Sequence, residues 1–102
     1  MKAITKALKE VHGISVRNMT NYSGNPIPNQ FEITTTNGYI FQSYRTVIAA
    51  KVAGEVFLDK NNWAYSNTTG KYRNQFLGED RKETERKIKS GEYQLVDLNK
   101  GV

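Results

Sequence analysis

Cysteine is absent from the 102 residues, which excludes disulfides, thiolate nucleophiles, Cys-ligated zinc and iron–sulfur clusters together. Histidine occurs once, as His12, at the end of a helix-like pattern where a cation favours the helix dipole, so a structural or solvated role is expected of it. Long apolar runs are also missing. The longest, Val47 to Ala50, is far too short for a bilayer core of about 30 Å, and no membrane partner is expected. Basic residues interrupt every apolar step from Lys2 to Lys9, so no secretory signal is read there. No glycine pattern forms a phosphate cradle before a helix, since Gly70-Lys71 has no upstream glycine in register. The acidic residues Glu79, Asp80, Glu83 and Glu85 match no calcium-loop spacing and alternate with Arg81, Lys82 and Arg86, the pattern of a solvated, ion-paired helix. No catalytic residue, metal ligand or cofactor is expected, and the chain reads as a binding protein and not as an enzyme.

The chain has aromatics in place of aliphatics. Its hydrophobic fraction is 37%, but it carries one Trp, six Tyr and four Phe, which bury large apolar areas at low entropic cost. The net charge is +5, and the excess lies entirely before residue 79: from there onward six basic and six acidic residues cancel.

One α+β domain is predicted over residues 1–102, with a mostly antiparallel sheet of about 4–6 strands packed with two or three short helices. Ala3, Ile4, Ala7, Leu8 and Val11 fall on one face at helical spacing, with Gly13 as C-cap. An extended segment from Ile14 to Tyr22 follows, then a loop over residues 23–29. Residues 30–36 and 39–44 flank Asn37-Gly38, which predicts a two-residue hairpin pairing Thr36 with Tyr39, Ile33 with Gln42 and Phe31 with Tyr44. That register puts Tyr39 and Phe41 on the face opposite Phe31, Ile33, Ile40 and Tyr44. A second pair joins residues 46–52 to 55–59 through Ala53-Gly54. Ser66 or Asn67 caps a helix from Thr68 to Leu77, closed by Gly78, and Asp80 with Glu83 opens another that ends at Gly91. In that second helix Glu83–Lys87 and Glu85–Lys89 are the expected ion pairs. Tyr93, Leu95 and Val96 predict a last strand, beyond which residues 99–102 are expected to fray.

Aromatics interleaved with basic residues are the remaining chemical signal. Tyr39 and Phe41 are expected to present a stacking face, with Arg45, Lys51, Lys60, Lys71 and Arg73 neutralising phosphates, as in sheet-based single-strand binders. Tyr44, Trp63, Tyr65 and Tyr72 complete the expected binding set, which serves equally as half of a protein interface. The same aromatics are also the best material for the core.

Phe41-Gln42-Ser43-Tyr44, then Val47-Ile48-Ala49, then Trp63-x-Tyr65-Ser66-x-Thr68-Thr69-x-Lys71 resemble a family of small proteins of unknown function from phages and mobile elements of Firmicutes. The resemblance covers residues 30 to 80 and departs from the family pattern at Ala64, where an Asp is common, and at Tyr72, where a His is common. It implies a phage-like, cytoplasmic protein of a bacterial host. Three functions follow as expectations. The leading one is a binding module for nucleic acid or for a host protein that handles it. An anti-CRISPR-like inhibitor that binds a host defence effector directly is the first rival, and a small nuclease or modifying enzyme is the second.

Overall fold

The computed structural model describes residues 13–100. The expected helix over residues 2–12, with His12, lies outside them. Strands β1 (Ser15–Thr20), β2 (Pro26–Thr35), β3 (Gly38–Ser43), β4 (Thr46–Val52) and β5 (Glu55–Asp59) come first in the chain. Helices α1 (Asn67–Leu77) and α2 (Arg81–Ser90) follow, and β6 (Tyr93–Val96) closes the order. The six strands form one sheet in sequence order. The first five make an antiparallel meander, and β6, returning after two helices, pairs parallel to β5. The architecture is the predicted α+β class.

The β2–β3 hairpin departs from the expected register. Thr35 pairs with Gly38, Ile33 with Ile40 and Glu32 with Phe41, so the loop is Thr36-Asn37 and Gly38 belongs to the strand. The Thr35 hydroxyl accepts from the amides of Asn37 (3.2 Å) and Gly38 (3.1 Å), a local turn that outcompetes the Asn-Gly one. Gly38 is needed for a different reason than predicted: a Cβ there would lie 1.8 Å from the Lys51 carbonyl oxygen of the adjacent strand. The slip is by two residues, so each side chain keeps its predicted face. The Ala53-Gly54 turn forms as expected, with φ of 53° and 80° at its two positions.

Two further expectations are corrected. Residues 26–29, read as loop, extend β2, with Pro26 opposite Thr20; proline is tolerated because it opens the strand, opposite the edge strand β1. Asn99, expected to fray, hydrogen-bonds through its side chain to both the amide (2.8 Å) and the carbonyl (2.9 Å) of Val47. Those two groups lie beside the bulge in β4, where Val47 and Ala49 pair with consecutive residues of β3 and Ile48 is the extra residue.

The core lies between α1 and one face of the sheet. Phe41, Ile48, Ala49 and Leu58 from the strands meet Tyr72 and Phe76 from α1, with Met19 of β1 at the register break between β1 and β2. Phe41 and Phe76 have ring centroids 5.9 Å apart. The buried residues of α1 are Thr69, Tyr72, Arg73 and Phe76, a spacing of i, i+3, i+4, i+7 that fixes which stripe faces the sheet. Each buried aromatic contributes about 1.5–3 kcal/mol or more. Ser66 caps α1 by accepting from the Thr69 amide, and Asp80 caps α2 by accepting from Glu83.

The ion pairs of α2 also differ from expectation. Glu83 pairs with Arg86, and Arg81 pairs with Glu85. Lys87 instead reaches Glu79 at 2.8 Å, because that carboxylate is the buried one and a desolvated partner attracts more strongly. Glu79 also accepts from the Thr84 hydroxyl (2.6 Å) and the Tyr93 hydroxyl (2.7 Å), so one carboxylate fastens α2 to β6.

Candidate functional site

A cleft of about 660 Å³ opens between the β1–β2 loop and the first two turns of α1. Thr20, Asn21 and Tyr22 form one wall, and Ser66, Asn67, Gly70 and Lys71 form the other. Arg73 and Asn74 also line it, with Arg81 from the start of α2. Among the described residues, three that line it are cationic and none is acidic.

Local sequence builds each wall. The Asn21 side-chain oxygen accepts from the amides of Ser23 and Asn25, both at 3.0 Å, and the Asn21 amide donates to the Asn25 carbonyl. That closed turn holds Tyr22 at its tip with the ring fully exposed. Gln75 on α1 donates to the Thr20 carbonyl and ties the loop to the helix. On the helix side, the polar first turn after Ser66 leaves Asn67 and Lys71 exposed one turn apart.

Arg73 is the unusual member of the site. It is 1% exposed, yet among the described residues no carboxylate bonds to it. Its guanidinium lies 5.3 Å over the Trp63 ring, Nη1 donates to the Trp63 carbonyl (2.7 Å) and Nη2 to the Asn74 amide oxygen (2.8 Å). Nε has no partner. Burial first, and then the neighbouring Arg81 cation, press the pKa of Arg73 below the ordinary guanidinium value, while Glu85 and Glu79 act against the shift from a distance. Arginine keeps its proton in proteins, so the direction records a buried cation that is under-compensated. Gly70 sits one turn before it. A Cβ at Gly70 would lie 3.7 Å from both Nη atoms, in van der Waals contact with the guanidinium. Arg81 lies 5.5 Å over the same Trp63 ring and shares Glu85 in an exposed ion pair. Trp63 thus holds two cations at the cleft floor.

The residues expected to bind are divided by this geometry. Lys71 and Arg73 line the cleft, and Trp63 supports it. Tyr44 and Tyr65 are exposed and line a second, smaller pocket on the other side of the α1 N-terminus. Arg45 is exposed beside Tyr44, and Tyr39 is about half exposed at the far end of β3, away from both. Phe41 and Tyr72 are corrected: both are core, because they point into the layer between sheet and α1 and pack there with Phe76. The expected stacking face of Tyr39 with Phe41 therefore does not exist. Lys51 is also committed, donating to the Phe76 carbonyl (2.6 Å) near the α1 C-terminus and lying 4.6 Å over the Phe76 ring. Tyr22, Asn67 and Arg81 were not expected. For Tyr22 the signal was present as an aromatic set among turn-forming Asn, Ser and Gly.

Among the described residues no three His, Cys, Asp or Glu side chains gather to hold a metal ion.

Residues 14–92 match the model of a family of unknown function, DUF8033. The chain belongs to this family. No curated protein and no solved structure matches it. The matched segment contains every residue of the cleft.

Proposed function

We infer that this member of DUF8033 is a non-enzymatic binding module for single-stranded nucleic acid, and that the strand is held in the cleft beside α1. The observation that carries this reading is the buried, carboxylate-free Arg73 at the floor of a cleft whose lining holds Lys71 and Arg81 and no acid. A phosphate supplies the negative charge that the fold withholds, and guanidinium groups bind phosphate oxygens with matched geometry. Tyr22 at the loop tip supplies a free ring for a base, a sequence-tolerant contact worth about 1–3 kcal/mol. The Asn and Ser side chains around the cleft add neutral donors to phosphate and sugar. A phage-like origin and a site of action in the bacterial cytoplasm, implied by the Trp63–Lys71 motif, fit a protein of this kind.

Binding of a labelled oligothymidylate, followed by anisotropy, tests the reading. Three phosphate contacts correspond to a slope of about −2 in log affinity against log salt, so affinity falls about 20-fold between 50 and 200 mM salt. Reversing Lys71 and Arg81 to Glu abolishes the complex. Retention of a host protein by the wild type, with no oligonucleotide bound at low salt, would replace this reading with that of a direct protein inhibitor.

A further inference from the structure

The second pocket, about 430 Å³, falls within the range of small-molecule sites, roughly 300–1,000 Å³. Tyr44 and Tyr65 are its aromatic walls, 60% and 74% exposed. Ile48, the fully buried residue of the β4 bulge, is part of its floor, with Ser43 and Thr69 beside it. Among the described residues neither acid nor base lines it.

Its walls are fixed by the backbone. Tyr44 has φ of 56°, a left-handed conformation that costs a non-glycine residue strain and that clusters at functional positions. Two hydrogen bonds hold it there: its amide donates to the Asn29 carbonyl (2.7 Å), and the Gln42 side chain donates to its carbonyl (2.8 Å). Tyr65 is held across the opening by its amide, which donates to the Asn62 carbonyl. Hydrogen-bonding capacity remains at the floor and rim. The Ser43 and Thr69 hydroxyls lie 3.2 Å apart, so one proton is shared between them and the other stays free to donate. Asn62 spends its amide nitrogen on Asp59 at 2.6 Å, which leaves its amide oxygen as an acceptor.

We propose that this pocket takes one nucleobase, stacked between Tyr44 and Tyr65 and read at its edge by the Ser43–Thr69 hydroxyl pair and Asn62. The ligand these walls fit is planar, aromatic and uncharged, with donors and acceptors on its edge. Every standard base meets that description at neutral pH. Tyr65 is followed directly by Ser66 and Asn67 of the cleft, and Thr69 of the pocket lies on the same helical turn as Gly70 of the cleft. A strand crossing the start of α1 therefore lays phosphates on one side and turns a base into the other, with the exposed Arg45 beside it for the next phosphate. This last step rests on the strand-binding reading above; occupation of the pocket by a base does not.

The test uses free nucleosides, which carry no phosphate. Each of the four is titrated into the full chain while the Ile48 methyl and the Thr69 amide are followed by NMR. At least one nucleoside should shift both signals, with affinity lowered at least tenfold in Tyr44→Gly, a variant that removes a wall while relieving the left-handed strain, and in Tyr65→Ser. No shift from any nucleoside overturns the proposal, whether or not oligonucleotides bind. An equal or larger shift from N-acetyl-tyrosinamide also overturns it, and assigns the pocket to an aromatic side chain of a partner protein. Nucleoside shifts in a protein that binds no oligonucleotide would support the pocket and sink the strand-binding reading alone.

Discussion

Glu79 and Arg73 stand six residues apart in the chain, on either side of the α1 C-cap, both side chains withdrawn from solvent, and their surroundings differ in kind. The Glu79 side chain, 8% exposed, has an ammonium and two hydroxyls on its oxygens, and Lys87, Thr84 and Tyr93 use it to join α2 to β6. Arg73, 1% exposed, has a ring, a carbonyl and an amide, an unpartnered Nε, and no carboxylate in contact. A buried charge that the fold satisfies is a structural fastening, because removing it strands its partners. A buried charge that the fold leaves open is a place where something else completes the set. The two corners of this small domain therefore do separate work, one holding helix to sheet and the other facing a ligand.

Removing the satisfied charge gives the largest effect. Glu79→Ala strands the Tyr93 and Thr84 hydroxyls and the Lys87 ammonium, and should cost about 2–4 kcal/mol in denaturant unfolding while oligonucleotide affinity stays within twofold. A comparable loss of affinity in a folded variant would break the division of labour.

The same carboxylate sets an acid limit. Burial alone raises the pKa of Glu79, but hydrogen bonds from Lys87, Thr84 and Tyr93 outweigh it and hold the group below the ordinary value of 4.5. Asp59 follows the same pattern: burial raises it, and bonds from the Leu98 amide, Asn62, Asn99 and the Asn61 amide bring it below 3.8. A depressed carboxylate stabilises above its unfolded pKa and loses that contribution as pH falls through its folded one. Stability should therefore be flat from neutrality to about pH 5 and drop below pH 4.5, and Glu79→Gln should make the upper part of that drop shallower.

Arg73→Met should behave in the opposite way to Glu79→Ala. Replacing an under-compensated buried cation by an apolar chain of similar length should change stability by no more than about 1 kcal/mol, or raise it. Oligonucleotide affinity should fall about tenfold, the loss of one charge-assisted contact of roughly 1.4 kcal/mol. The smallest effect sharpens the point. Gly70→Ala should stabilise α1 by about 0.5–1 kcal/mol through helix propensity, yet weaken binding several-fold by placing a methyl against the Arg73 Nη atoms. A change that improves the helix and harms the site is hard to explain if the guanidinium is only structural.

Local patterns carried most of the fold into view. The turn at Ala53-Gly54, the caps at Ser66 and Asp80, and the strands at 46–52 and 55–59 depend on residues close in sequence and are legible there. The hairpin register was lost to a competitor equally local, the Thr35 hydroxyl, reinforced by the approach of the Lys51 carbonyl that no neighbour in sequence announces. Asn99 clamping Val47 is a contact across 52 residues and was not readable at all. The site was half legible. Lys71, Arg73 and Tyr65 stood out as cations and aromatics near one another, but Phe41 and Tyr72 share that chemistry and face inward, which only the helix stripe and strand alternation decide. The same stripe contained the best clue. Thr69, Tyr72, Arg73 and Phe76 fall at i, i+3, i+4 and i+7, so a charge stood at a core position of a helix whose sequence holds no acid.

The most direct measurement is a heteronuclear NMR titration of the wild-type chain with oligothymidylate at low salt, following backbone amides and the Arg73 Nε–Hε signal together. The Arg73 signal should move with the amides of Tyr22, Asn67 and Lys71, while those of Ile33 and Ile40 on the opposite face of the sheet stay in place. Shifts on that opposite face with a still Arg73 signal, or no shift anywhere, would contradict the assignment of the cleft as the binding site.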